Sequence, residues 1–86
     1  MQTRVVIAED HLFVSQGLVS ALASVEGLTV VQTAENGIEA IFAIRKHKPD
    51  VAVLDYNMPG ANGLEVFLEA RRWAPETRFL LLTGSM

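Results

Sequence analysis

Carboxylates follow two apolar runs of this sequence, at the point where each run ends. Residues 51–54 precede Asp55, and residues 5–8 precede Glu9 and Asp10. Such apolar runs are typical of strands buried on both faces, and open α/β sheets bind ligands beyond the carboxyl ends of their strands. Neighbouring parallel strands would bring these carboxylates together, where repulsion raises at least one pKa unless a divalent cation lies among them. Mg2+ suits this site because it prefers oxygen ligands and leaves positions for water and phosphate oxygens.

A hydroxyl stands at the equivalent place after a third apolar run. Residues 79–82 are followed by Thr83, whose hydroxyl could hydrogen-bond a phosphoryl oxygen. An aspartate nucleophile beside Mg2+ and a hydroxyl is a set of groups suited to phosphoryl transfer. The residues alone therefore predict phosphoryl transfer to Asp55, with an aspartyl phosphate as either the intermediate or the product.

Each of these residues also has a simpler interpretation when it is taken alone. Asp10 fits a helix cap, and Asp55 fits the first position of a type I turn. Glu9 fits a solvated loop charge, and Thr83 fits an ordinary strand end. The combination favours a site, because three buried strands place metal-binding or phosphate-binding groups at the same edge of the sheet.

The predicted elements alternate between strands and helices along the chain. Four strands separated by three helices require right-handed crossovers and predict an α/β fold, with a mostly parallel sheet and helices on both faces. A strand order of 2-1-3-4 would put the carboxyl ends of the first and third strands side by side. The strands are predicted at residues 5–8, 28–33, 51–54 and 79–82.

The apolar spacing also predicts which residues of each helix pack against the sheet. The first helix, capped by Asp10, should bury a single stripe of residues. Residues 28–33 mix polar and β-branched side chains, as expected for a strand at the edge of the sheet. The residues predicted to face inward are Val14, Leu18, Ala21, Leu22 and Val25 in the first helix, Ala40, Ile41 and Ile44 in the second, and Leu64, Phe67 and Leu68 in the third.

The composition limits the classes of protein to which the chain can belong. With 86 residues it forms at most one domain, and a hydrophobic content of 50% is enough for a core. A charged fraction of 20% and a net charge of −3 argue against disorder and against nucleic-acid binding by this segment. The absence of cysteine excludes disulfides and thiolate chemistry. Because the apolar runs are too short to span a bilayer and no signal-peptide pattern is present, we expect a cytoplasmic location with no membrane partner.

The two histidines argue against a site built on histidine. His11 and His47 are separated by two predicted elements, and His47 lies in a basic helix end. A histidine-based metal or catalytic site is therefore not expected.

The residues around Asp55 carry a specific resemblance to a known family. The acidic pair Glu9-Asp10 and the pattern D-x-x-M-P-x-x-[DN]-G, which begins at Asp55, resemble the receiver domain of two-component response regulators. The resemblance extends over residues 1–86 and implies a flavodoxin-like (CheY-like) doubly wound parallel sheet of strand order 2-1-3-4. The matching positions of the pattern are Met58, Pro59, Asn62 and Gly63, preceded by Lys48-Pro49-Asp50.

This resemblance implies a role for each candidate residue. Asp55 would receive a phosphoryl group from the phosphohistidine of a sensor histidine kinase. Thr83 would be the switch hydroxyl, which moves toward that group and shifts an equilibrium between inactive and active states. Asp10 and Asp55 would bind Mg2+ with the backbone carbonyl of Asn57, assisted by Glu9. Such a domain phosphorylates and dephosphorylates itself and is not an enzyme that turns over an external metabolite.

The resemblance also implies a longer parent protein. Residues 9–11 and 16–18 are similar to the LuxR/FixJ-type branch, whose members usually carry a C-terminal helix-turn-helix domain that binds DNA and regulates transcription. Receiver domains continue after the Thr83 position with a helix, a strand and a helix, which need about 30 residues. Residues 1–86 are therefore expected to form an incomplete receiver domain. Its last strand would be an exposed edge, so we expect a homodimer or a strand-exchanged oligomer.

Two other functions are compatible with parts of the pattern. Haloacid-dehalogenase-like phosphohydrolases also use an aspartate at a strand end with Mg2+, but they need a second acid where this chain has Asn57. A structural or assembly fragment of a receiver domain, with no signalling role, is the second alternative. Phosphoryl uptake by Asp55 distinguishes that fragment from a signalling module.

Overall fold

Strands and helices alternate along the chain in a computed structural model that describes residues 2–83. The strands are β1 (Thr3–Ala8), β2 (Leu28–Ala34), β3 (Val51–Asp55) and β4 (Arg78–Leu82). The helices are α1 (Leu12–Ala23), α2 (Gly37–His47) and α3 (Gly63–Ala70). In this described part of the chain, no helix has both the length and the apolar character needed to cross a membrane.

The strands form one parallel sheet in the order β2-β1-β3-β4. β1 pairs with β3 up to Ala8 opposite Leu54, and β3 pairs with β4 up to Asp55 opposite Leu82. The predicted strand order is confirmed. It brings the carboxyl ends of β1, β3 and β4 to one edge of the sheet, where open α/β sheets place their ligand sites.

The two faces of the sheet bury separate apolar clusters. The larger cluster includes Ala40 and Ile44, which confirms the predicted face of α2, together with Leu54 of β3. The smaller cluster includes Ile7 of β1, against which Leu18 of α1 packs. β1 and β3 contribute to both clusters, as expected for strands covered by helices on both faces.

Asparagine side chains cap α2 and α3, but α1 begins differently. Asn36 caps α2 by accepting a backbone N–H, and Asn62 with Glu65 forms a reciprocal capping box at the start of α3. The N-cap of α1 is His11, whose side chain makes no capping hydrogen bond. The predicted cap at Asp10 is therefore wrong, and the carboxylate of Asp10 is not used to begin the helix.

The buried stripe of α1 is narrower than predicted. Leu18 and Leu22 pack against the smaller cluster. Val14 and Val25 are 47% and 49% exposed, and Ala21 is also exposed. Among residues 2–83, α1 is the only helix that contributes to this cluster, so its flanks lack a neighbouring helix to pack against.

The packing face of α3 is also shifted from the prediction. Val66 and Ala70 are buried, whereas Leu64 and Leu68 are 37% and 46% exposed. Phe67 is partly buried against the larger cluster. The buried face of α3 therefore runs through Val66 and Ala70, with the two leucines on its flanks.

β2 and β4 are the edge strands of the sheet. The prediction of β2 as an edge is confirmed. In β4, Leu80 is 54% exposed and Leu81 is 36% exposed, so the apolar run of β4 is not the buried strand that its composition suggests. Among the described residues, β4 is an exposed apolar edge, as the resemblance implied.

Candidate functional site

Three carboxylates meet at the edge of the sheet where β1 and β3 end. Glu9 and Asp10 directly follow β1, beside Asp55, the last residue of the neighbouring strand β3. One ligand atom from each of these residues and one from His11 all lie within 4.8 Å of one another. The sheet topology thus assembles the acidic cluster that the sequence predicts.

Two of the three carboxylates are buried at this edge. Glu9 and Asp55 are 5% and 6% exposed, whereas the side chain of Asp10 is 28% exposed. The backbone N–H of Glu9 donates to the carbonyl of Ala34 at 3.0 Å, which extends the pairing of β1 with β2. Glu9 is therefore fixed by the sheet, while the side chain of Asp10 is more exposed to solvent.

His11 contacts both carboxylates of the acidic pair. Its backbone N–H donates to Oε2 of Glu9 at 2.8 Å, and its Nδ1 lies 2.8 Å from the same oxygen. Nδ1 also lies 3.2 Å from Oδ1 of Asp10. The His11 side chain is 68% exposed, so the ring lies beside the cluster and remains accessible to solvent.

The protonation of the cluster reflects its crowding. Burial raises the pKa of Asp55, and the carboxylates of Glu9 and Asp10 raise it further, against a hydrogen bond from the backbone N–H of Asn57. Burial also acts to raise the pKa of Glu9, but hydrogen bonds from His11 outweigh it and hold that pKa below its ordinary value. The hydrogen bond to Glu9 raises the pKa of His11. A bound cation would relieve the repulsion that disfavours ionised Asp55.

The turn after Asp55 is anchored by the residues that follow it. The backbone N–H of Asn57 donates to Oδ1 of Asp55 at 3.1 Å. Met58 is buried in the larger cluster, and the carbonyl of Pro59 accepts the N–H of Gly37 at 3.2 Å. The Met-Pro pair therefore ties the turn to the core and to α2, so that Asp55 is held at the strand end.

Thr83 lies across an open cleft from the acidic cluster. The N–H of Tyr56 donates to the carbonyl of Leu82 at 2.9 Å, which places Thr83 just beyond the end of the β3–β4 pairing. The cleft has a volume of about 550 Å3. Its polar lining residues are Glu9, His11, Asp55, Asn57 and Thr83.

The structure brings together every residue that the sequence marked as a candidate. Glu9, Asp10 and Asp55 form the cluster, and Asn57 and Thr83 line the adjoining cleft. The sequence reasoning missed His11, because it treated the two histidines as distant from each other rather than asking what lies beside the acids. The available signal was the position of His11 directly after Glu9-Asp10, at the start of a helix.

The donor set fits a hard divalent cation. The cluster offers carboxylate oxygens from Glu9, Asp10 and Asp55 at an open cleft, and Mg2+ prefers oxygen ligands while keeping several waters. The cleft leaves room for those waters or for phosphate oxygens. Burial of Asp55 also favours a cation here, because an ionised carboxylate that is removed from water needs a compensating charge.

Comparison with known proteins places this chain beside response regulators. Residues 5–86 match the model of the response regulator receiver domain. The chain is 40% identical over 83 residues to the probable transcriptional regulatory protein NarL of Mycobacterium tuberculosis. This match covers 96% of this chain and 38% of that protein. The chain thus spans less than half of the length of that relative.

Solved structures show the same fold. The signal receiver domain of the putative response regulator NarL from Mycobacterium tuberculosis superposes with a TM-score of 0.93 at 39% identity, covering 99% of this chain and 68% of that one. The CheX–CheY–BeF3–Mg2+ complex from Borrelia burgdorferi contains a chain that matches with a TM-score of 0.85 at 26% identity. That match covers 91% of this chain and 59% of the other.

Proposed function

Because this chain belongs to the response regulator receiver domain family, we propose that Asp55 is its phosphoacceptor. The phosphoryl donor is the phosphohistidine of a sensor histidine kinase. The observation that carries the proposal is the meeting of Glu9, Asp10 and Asp55 where β1 and β3 end, beside an open cleft.

Mg2+ is the cation of this proposed site. Glu9, Asp10 and Asp55 would hold it, together with the backbone carbonyl of Asn57. The raised pKa of Asp55 supports a cation here, since burial and the neighbouring carboxylates disfavour its ionised form. The Borrelia burgdorferi complex, in which a chain of the same fold occurs with BeF3 and Mg2+, also supports it. Bound Mg2+ offsets the negative charge of the carboxylates and of the phosphoryl oxygens.

The carboxylate of Asp55 acts as the nucleophile in this proposal. Oδ1 accepts the N–H of Asn57, so we assign Oδ2 as the oxygen that attacks phosphorus. A P–O bond to Asp55 forms while the P–N bond to the kinase imidazole breaks, and the imidazole keeps the electron pair and then takes up a proton. Because Asp55 is held by the sheet and by the turn after it, the nucleophile needs little reorganisation.

Thr83 and the rest of the parent protein convert phosphorylation into a signal. The hydroxyl of Thr83 hydrogen-bonds the phosphoryl group, and its exposed position after an edge strand leaves it free to move there. This movement shifts the balance between two conformations that a partner distinguishes. In the cytoplasm, the output is regulation of transcription by a DNA-binding part outside this chain, as the similarity to NarL suggests. The domain turns over no external metabolite.

Intact-mass spectrometry tests the acceptor site directly. The chain is incubated with Mg2+ and acetyl phosphate, and one phosphoryl increment is expected on the unmodified protein and none on Asp55→Asn. The matched control is Asp50→Asn, because Asp50 lies at the other end of β3, where it accepts the backbone N–H of Arg4. This variant should take up the phosphoryl group normally, and a chelator should abolish uptake in both active proteins.

Two results would contradict the proposal. An increment that persists in Asp55→Asn would place the acceptor elsewhere. The second result is the absence of an increment on any variant, even when a phosphorylated histidine kinase is supplied as an alternative donor and circular dichroism shows that the protein is folded. The acidic cluster would then have only a structural role. The structural-fragment interpretation would then replace the signalling one.

A further inference from the structure

The proposed function uses the three carboxylates but gives His11 no role. Nδ1 of His11 lies 2.8 Å from Oε2 of Glu9 and 3.2 Å from Oδ1 of Asp10. Neighbouring ligand atoms on one octahedral ion are about 3 Å apart when each lies about 2.1 Å from the metal. At these hydrogen-bond distances the imidazole nitrogen lies close enough to both carboxylates to share one ion with them.

The chemistry of this ligand differs from that of the other three. Carboxylate oxygens suit Mg2+, whereas imidazole nitrogen suits transition metals such as zinc, nickel and copper. Zn2+ accepts histidine nitrogen and carboxylate oxygen in the same site. We propose that His11 is an additional ligand of this metal site and that it raises the preference of the site for Zn2+ over Mg2+. This inference rests on the proposed function, since it concerns the cation that the same site holds.

The surroundings of His11 allow this role without rearranging the fold. The ring lines the open cleft and its side chain is 68% exposed, so a hydrated ion can reach Nδ1 from solvent. An ion between Nδ1 and Oε2 of Glu9 would replace the hydrogen bond between them. The backbone N–H of His11 also donates to Oε2, at 2.8 Å, so Glu9 would keep its orientation when the ring turns to a metal.

A purely structural role for His11 is the competing explanation. In that case the ring only donates from Nδ1 to Glu9 and orients its carboxylate. His11→Asn separates the two roles, because an asparagine at this position keeps a side-chain N–H donor but lacks the imidazole nitrogen. If His11 only orients Glu9, this variant should affect the binding of Zn2+ and Mg2+ to the same degree.

Calorimetric titration of the chain with Zn2+ and, separately, with Mg2+ tests the proposal. Loss of an outer partner of a metal ligand already costs about 10–100-fold in affinity, so His11→Asn should lower the ratio of Zn2+ affinity to Mg2+ affinity at least about tenfold. His47→Gln is the matched control. His47 lies away from the cluster, where its Nε2 is 2.8 Å from Oε1 of Gln32, and its removal should leave the ratio unchanged.

A spectroscopic measurement on the unmodified protein gives a second readout. In long-range 1H–15N spectra, Zn2+ should shift the Nδ1 resonance of His11 strongly, whereas Mg2+ should not. The inference is overturned if the affinity ratio is the same in His11→Asn and the unmodified chain, or if the Nδ1 resonance does not respond to Zn2+. Such a result would not affect the proposed Mg2+-dependent phosphoryl uptake at Asp55. Conversely, if Asp55 takes up no phosphoryl group but the Nδ1 resonance of His11 still shifts with Zn2+, the proposed function is wrong and the metal site stands.

Discussion

Gly63 lies against the backbone of Asp55: a Cβ atom added to Gly63 would be only 2.5 Å from the carbonyl oxygen of Asp55. This contact joins the first residue of α3 to the last residue of β3. The N–H of Gly63 also donates to the carbonyl of Tyr56 at 3.2 Å. The position of Asp55 therefore depends on a glycine in the helix that follows it.

Gly63→Ala should destabilise the protein and impair phosphoryl uptake. The new methyl group meets backbone that cannot move aside, and overpacking of this kind costs about 1–3 kcal/mol. Gly17→Ala in α1 is the matched control, because nothing lies within 4 Å of its added Cβ. This control should gain about 0.5–1 kcal/mol, as expected for alanine in a helix. Urea denaturation of both variants checks the prediction, which equal stabilities would contradict.

Asp55→Asn should be more stable than the unmodified protein at pH 7 in the absence of metal. The pKa of Asp55 is raised in the folded state by burial and by Glu9 and Asp10. A group whose pKa is raised on folding stabilises the folded state at pH values below its pKa in the unfolded chain. This contribution is lost as the pH rises through its pKa in the folded state. Ionised Asp55 therefore opposes folding at neutral pH, and the asparagine removes that penalty while still accepting the N–H of Asn57.

The pH dependence of the stability difference between Asp55→Asn and the unmodified protein tests this prediction. Below about pH 4, aspartate is protonated in the unfolded chain as well, so the difference between the two proteins should shrink. Denaturant midpoints measured with a chelator at pH 7 and at acid pH supply the comparison. A stability gap that widens on acidification would show that Asp55 is stabilised in its ionised form, contrary to the geometry.

Mg2+ should stabilise the folded protein through Glu9. A ligand that binds only the native state at a hundred times its Kd adds about 2.7 kcal/mol to the free energy of unfolding. Glu9→Gln removes one carboxylate of the cluster, so this gain should fall and the thermal midpoint should respond less to added Mg2+. Glu35→Gln is the control, because Glu35 is exposed and lies outside the cluster. A midpoint shift of the same size in both variants would remove Glu9 from the metal site.

Most of the fold and of the candidate site could be predicted because they depend on local patterns. The apolar runs before Glu9 and Asp55 are read as strands buried on both faces, and the parallel topology then fixes where their ends meet. Met58 and Gly63 belong to a specific turn pattern that positions Asp55. These features need no information about distant packing beyond the strand order.

The features that the sequence did not predict depend on neighbours that a local pattern does not contain. Val66 and Ala70 are buried in α3 rather than Leu64, because the rotation of the helix against the sheet is set by tertiary packing that its apolar spacing alone does not fix. His11 joins the acidic cluster because α1 begins immediately after it and brings the ring back over Glu9. Leu80 is exposed because β4 lies at the edge of the sheet, a position that its own apolar run does not reveal.

The exposed edge of β4 should make this chain associate with a second copy. β4 is the outer strand of the described sheet, and Leu80 is 54% exposed on it. Long apolar edges pair readily with other chains, and a charge on the edge prevents this. Leu80→Lys should therefore raise the dissociation constant of the dimer about tenfold or more, since burial of a leucine side chain contributes about 1.5–3 kcal/mol.

Sedimentation velocity over a range of protein concentrations measures this association, and a control variant shows whether the association depends on β4. Phe42→Lys on α2 changes a side chain that is 67% exposed, in a helix that packs against the larger cluster. If β4 is the contact, only Leu80→Lys should shift the distribution toward monomer. An equal shift in both variants would indicate general hydrophobic association, and a monodisperse monomer from the unmodified chain would show that the β4 edge is not used. Because Thr83 directly follows β4, association at this edge and the proposed phosphorylation of Asp55 should influence each other. Sedimentation of the unmodified chain with and without acetyl phosphate tests this coupling.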